Sequence, residues 1–124
     1  MGLFDMLLGN ASEVNLNELQ KEFADILIEG EQLERAFSVV RDKWIFTNKL
    51  LILLDVQGVT GSKREYLSIP YRNIAYFSIE TAGSFDDDCE MKIFLKGTSA
   101  CITKEFSRRT NIKELQRLLA GHIL

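Results

Sequence analysis

Five apolar residues in succession, Leu50-Leu51-Ile52-Leu53-Leu54, constrain this chain more than any other feature. A strand with one face in water alternates apolar and polar residues, so an unbroken run predicts a strand covered on both sides. It lies within the stretch Trp44 to Thr81, which reads strand, turn, strand, turn, strand. Val56 to Gly61 makes one break, and Pro70, which has no N–H to offer a ladder, makes the other. The expectation is an antiparallel meander whose apolar run needs a cover above and below. The spare elements are helices read at the two ends of the chain.

Asn15 with Glu18 is a helix-capping signature, and Leu16, Leu19, Phe23, Ile26 and Leu27 then recur at spacings of three and four. Gly30 is read as the stop. The stripe is read as a core face, with insertion into a partner's groove as the alternative. Ahead of it, Gly2 to Leu8 is a short apolar run closed by Gly9-Asn10, with Phe4, Leu7 and Leu8 on one side of a helical wheel. The run is too short to span a bilayer, and it carries no Lys or Arg on a polar face. Packing on its own or a neighbouring subunit is therefore favoured over a membrane interface. Met6 stands where a myristoylation signal wants Ser or Thr. At the other end, Asn111 and Glu114 form a capping box before the stripe Ile112, Leu115, Leu118, Leu119 and Ile123.

Period-two patterning covers most of the remainder. From Leu33 to Arg41, Leu33, Arg35, Phe37, Val39 and Arg41 are read on one strand face and Glu34, Ala36, Ser38 and Val40 on the other, with a turn at Arg41-Asp42-Lys43. Lys63 to Ile69 alternates, and Ile74 to Thr81 sets Ile74, Tyr76 and Ser78 against Ala75, Phe77 and Ile79. Residues Ala82 to Asp88 are loop by composition, and Met91 to Leu95 with Ala100 to Phe106 make a hairpin about Gly97-Thr98. The total is about seven strands.

A length of 124 residues suits one domain with a conventional core. Fifteen basic against eighteen acidic side chains leave a net charge of −3, the wrong sign for neutralising phosphates, so nucleic acid is excluded as a general partner. The start lacks the basic and apolar regions of a secretory signal, so the expected compartment is reducing and cytoplasmic. The hairpin register sets Phe94 opposite Cys101 and Phe106 opposite Cys89, which offsets the thiols beyond disulfide reach. Both cysteines are expected as buried small hydrophobes. There is no CxxC pair, and His122 is the sole histidine, so neither a zinc site nor a partnered nucleophile has its parts. Asp86, Asp87, Asp88 and Glu90 lack the spacing of a calcium loop and read as a solvated run. No enzyme, catalytic residue, metal or cofactor is expected.

A mainly β chain of about seven antiparallel strands followed by one amphipathic helix has the layout of a PH-like barrel, two sheets packed near right angles with a C-terminal helix plugging one corner. Particular residues agree with that layout: Met1-Gly2-Leu3-Phe4-Asp5; Arg41-Asp42 with Phe46-Thr47-Asn48; Asp55, Gln57-Gly58 and Thr60-Gly61; Tyr66 with Ser68-Ile69-Pro70-Tyr71; and Phe77-Ser78 with Glu80-Thr81-Ala82-Gly83. In order and spacing they resemble the bacterial pleckstrin homology family of small stand-alone proteins. The resemblance implies a single barrel over 31–124, a helical extension over 1–30, and a ring-shaped homo-oligomer with fivefold closure. It implies no established activity or ligand and transfers no site residue.

The expected function is a non-enzymatic interaction module that self-assembles, with the leading helix left free for other copies and another protein as a further partner. Anionic lipid headgroups on Arg35, Arg41, Lys43 and Lys49 are one alternative, and a peptide strand added to a free barrel edge is the other. Candidate contact residues are Phe4, Leu7, Leu8, Tyr66, Tyr71, Tyr76 and Phe85. For Tyr66 and Tyr76 a core position is the competing role.

Overall fold

The computed structural model describes residues 15–39 and 41–124. In chain order these form α1 (Leu16–Phe23), β1 (Leu33–Val39), β2 (Asp42–Thr47), β3 (Leu50–Gln57), β4 (Lys63–Pro70), a 3-10 turn (Tyr71–Asn73), β5 (Ile74–Thr81), β6 (Cys89–Leu95), β7 (Cys101–Phe106) and α2 (Ile112–Ile123). Strands β1 to β4 make one antiparallel sheet in sequence order, and β5 to β7 make a second. The third run of the expected meander does not pair with the second. Pro70 ends β4, and the 3-10 turn sends the chain into the other sheet.

The apolar run in β3 is two-sided, as its composition requires. Leu51 and Leu53 face the barrel interior with Phe37, Trp44, Phe46, Met91 and Ile93, where α2 inserts Leu115 and Leu119. Ile52 and Leu54 face outward into a second core with Ala36, Ile45, Leu19 and Phe23. Helix α1 is therefore the cover of the first sheet's outer face and is not free for another copy. It is also shorter than its stripe. The N–H groups of Ile26 and Leu27 both close on the Phe23 carbonyl, and Ile26 and Ile28 end up exposed. Gly30, at φ +83, serves a later turn, where Asn48 accepts from the Gln32 N–H and donates to the Gly30 carbonyl.

Two bulges break the alternation. Leu33 pairs with Thr47 and Arg35 with Phe46, which leaves Glu34 as an extra residue and puts Leu33 on the same side as Ala36, not Phe37. Ile74 pairs with Leu95 and Tyr76 with Phe94, so Ala75 is extra, and Ile74 lies inside with Phe77 and Ile79. The β1 bulge also serves α2: Glu34 meets His122 at 2.7 Å, and Arg35 pairs with Glu114. In the first turn of α2 Asn111 caps the helix, accepting from the Glu114 N–H at 3.2 Å, while its side-chain amide donates to the Glu114 carboxylate. The expected turn at 41–43 is tighter than its composition suggests, since Val39 pairs with Asp42 and Lys43 is already in β2.

Candidate functional site: the seam between the sheets

The two sheets meet along two seams of different character. On one, β1 lies beside β7, the Trp44 and Phe106 rings pack edge to face at 5.1 Å, and Lys104 reaches Asp42 at 3.2 Å. Burial pushes the Asp42 carboxyl up, but the Val56 N–H and the Lys104 ammonium outweigh it and hold the group below the usual carboxylate range. That seam is bridged.

The other seam runs between β4 and β5, which share no ladder and, among the described residues, no hydrogen bond. Among the described residues it is closed only at the 3-10 turn. There the buried Tyr71 hydroxyl lies 2.6 Å from the Thr47 carbonyl and 2.8 Å from that of Leu50, and its ring stacks on His122. Burial, with Glu34 adding, pushes the Tyr71 phenol up. Thr47 in turn donates to the buried Glu31, whose other oxygen accepts the Ile28 N–H. The Tyr71 and Thr47 hydroxyls and both Glu31 oxygens of this knot have partners inside the chain, so it is structural.

Away from the knot the seam is apolar and open. Leu67 sits opposite Leu53, on the side of β4 that faces the interior, yet it is 40% exposed, since no further strand among the described residues covers it. Across the seam Phe77 and Ile79, also inward-facing, are half-buried. Outside, Tyr66 packs edge-on against Phe23, and Tyr76 stacks on Phe94 at 4.5 Å; they are 40% and 61% exposed. The two edges also differ in protection. β4 carries Lys63, Arg64 and Glu65 at one end and Pro70 at the other, whereas β5 has Glu80 as its one charge and no proline.

Of the sequence-derived contact residues, Tyr66 and Tyr76 thus flank the open seam on its outer surface and are not core. Phe85 is 43% exposed on the 82–88 loop, with the Lys113 ammonium 5.8 Å from its ring centroid. Tyr71 is 7% exposed and engaged as described, so it is withdrawn from the contact set. Phe4, Leu7 and Leu8 lie outside the described residues. Leu67 and Phe77 were missed, since alternation marks them as inward-facing and carries no sign that the neighbouring strand is missing.

The sequence model of the bacterial PH domain family matches residues 2–123. The chain belongs to that family. Among its relatives, the uncharacterized protein YjqA of Bacillus subtilis (strain 168) is 50% identical over 122 residues, 98% of each chain. A pleckstrin homology domain from Shewanella amazonensis SB2B superposes with a TM-score of 0.85 at 46% identity, over 98% of both chains. A pleckstrin-homology protein of the DUF1696 family from Shewanella loihica PV-4 gives 0.82 at 45% identity, over 91% of this chain and 97% of that one.

In this bacterial PH domain two of the four candidate cations, Arg35 and Arg41, are engaged internally. Arg35 pairs with Glu114, and Arg41 donates to the carbonyls of Gly58 at 2.8 Å and Val56 at 3.1 Å. Lys43 lines a shallow depression with Arg64, Glu18 and Glu22, so carboxylates share its surroundings.

The bacterial PH domain's second sheet sets Glu80, Glu90 and Glu105 opposite one another on its outer face, beside an open depression of about 400 Å³. Among the described residues, no group of three or more His, Cys, Asp or Glu side chains is placed to hold a metal ion. Asp87 and Asp88 instead accept the N–H groups of Ser84 and Arg108. Cys89 is buried, and burial, reinforced by Asp87 and Asp88, pushes its thiol up. Cys101 corrects its expectation: it is exposed, because its place opposite Phe94 is on the outer face of β7.

Proposed function

We propose that this bacterial PH domain is a non-catalytic interaction module that assembles with copies of itself into a closed ring, for which fivefold symmetry is the expectation. The observation that supports this reading is Leu67, a barrel-interior side chain left 40% exposed between two unpaired strand edges. An uncovered edge with apolar neighbours is a template for another strand, and a head-to-tail contact closes into a ring when its rotation permits. The module works in the cytoplasm on this reading; no helix among the described residues is long and apolar enough to cross a membrane. Light scattering on the purified protein tests it. A discrete species several times the chain mass of 14.2 kDa is expected, and a single species at that mass overturns the reading.

A further inference from the structure

We infer that the exposed strip of α2 formed by Lys113, Arg117 and Gly121 docks an acidic segment of another protein. The inference goes beyond the self-assembly reading, since it names a partner of different sequence and does not depend on ring closure. Residues four apart stand about 6 Å from each other along a helix, on one face. Here that face is the exposed one, because Ile112, Leu115 and Leu119 turn the other into the barrel. The chain's net charge is −3, yet Arg108, Arg109, Lys113 and Arg117 gather in α2 and just ahead of it, against Glu114 as the one acidic side chain there. Glu114 is already paired with Arg35, whereas among the described residues Lys113 and Arg117 have no carboxylate partner. Asp87 and Asp88 lie ahead of the helix, on the N–H groups of Ser84 and Arg108. An exposed cationic strip of this kind is complementary to carboxylates supplied from outside the chain.

Gly121 carries the argument for a close contact. Glycine inside a helix lowers its stability relative to alanine, and it is explained where the backbone is left-handed or where a neighbour crowds the Cβ position. Neither holds at Gly121. It lies in the last turn of α2 with helical backbone, and among the described residues a Cβ placed on it meets nothing within 4 Å beyond its own helix. The missing side chain instead leaves room for a backbone arriving from outside, with the small Ala120 next to it. A polypeptide fits this strip better than a lipid surface does. Helices that lie on a membrane turn bulky apolar side chains toward it, whereas the apolar stripe of α2 is committed to the barrel, and of its large apolar residues only Leu124 at the C-cap is exposed.

The probe is a fluorescein-labelled helical peptide with glutamate at every fourth position and alanine elsewhere, titrated by anisotropy against the full chain, with its glutamine analogue as the control. Saturable binding of the acidic peptide is expected, and none of the analogue. Lys113→Glu combined with Arg117→Glu should weaken binding by at least about tenfold. Gly121→Gln keeps every charge and should also weaken it about tenfold, by filling the bare turn. Gly121→Ala should raise the urea midpoint, since no contact within the chain needs the glycine. No binding of the acidic peptide, or equal binding by the charge-reversed variant, overturns the inference. A midpoint lowered by Gly121→Ala places the glycine's role inside the fold and overturns the close approach. Sedimentation with phosphatidylglycerol vesicles, without binding of the peptide, overturns it in favour of a membrane. Light scattering on Gly121→Gln should show the assembly size of the wild type; a changed size makes the strip a contact between copies and overturns the inference. A wild-type species of 14.2 kDa that binds the peptide overturns the self-assembly reading and leaves this one standing.

Discussion

Tyr71 and His122 lie face to face, their ring centroids 4.0 Å apart and their planes within 4°. The pair ties the turn where the chain changes sheets to the last turn of the helix that closes the barrel. Tyr71→Phe keeps the stack and removes the hydroxyl from the carbonyls of Thr47 and Leu50. The expected loss is about 1–2 kcal/mol in urea unfolding, with assembly size unchanged, because an interior hydroxyl contributes to the fold alone.

Asp42 predicts a pH dependence. Its folded pKa lies below the unfolded value, so the stability it contributes is present above the unfolded pKa and is lost as pH falls through the folded one. Asp42→Asn should therefore cost about 1 kcal/mol at pH 7. The gap to wild type should narrow at acid pH as wild-type Asp42 takes up its proton. Denaturation midpoints at a series of pH values check both.

The two thiols should react with an alkylating reagent in separate steps. Cys101 is exposed and should react promptly with a thiol reagent in the native protein, whereas Cys89, buried and donating toward the Asp87 carbonyl at 3.3 Å, should react only on unfolding. Mass spectrometry after timed alkylation reads the order, and Cys101→Ser should leave native reactivity near zero.

Helix α1 should behave as part of the domain. Phe23 is fully buried against the outer face of the first sheet, so Phe23→Ala should cost about 3–5 kcal/mol. A fragment spanning 31–124 would expose Ala36, Ile45, Ile52 and Leu54 together and should bind a hydrophobic dye or precipitate, which the full chain should not.

What the sequence disclosed follows from which forces leave a local trace. The double-sided role of β3 is written into five consecutive apolar residues, and the closing helix into the Asn111–Glu114 cap and its stripe. The β6–β7 register, with Phe94 on Cys101 and Cys89 on Phe106, follows from a short hairpin. The bulges at Glu34 and Ala75 were illegible, because an extra residue between two apolar neighbours reads as ordinary alternation until the partner strand is known. Tyr66 and Tyr71 could not be separated for a similar reason. Both are tyrosines beside an apolar strand, and only the non-local carbonyls of Thr47 and Leu50 draw one inward. The candidate seam was half visible: its aromatics stood out, but an absent neighbour is a property of topology.

The extra residues at Glu34 and Ala75 also govern how the gene can change length. Losing the codon for Ala75 would restore plain alternation and turn either Ile74 or the run from Phe77 onward out to water. Losing Glu34 would rotate Leu33 away from α1 and remove the carboxylate that meets His122. The loop between β6 and β7, by contrast, is exposed throughout and can absorb a codon gained or lost. Alignments of this chain with distant relatives should therefore place their gaps between strands and never at these two interior positions.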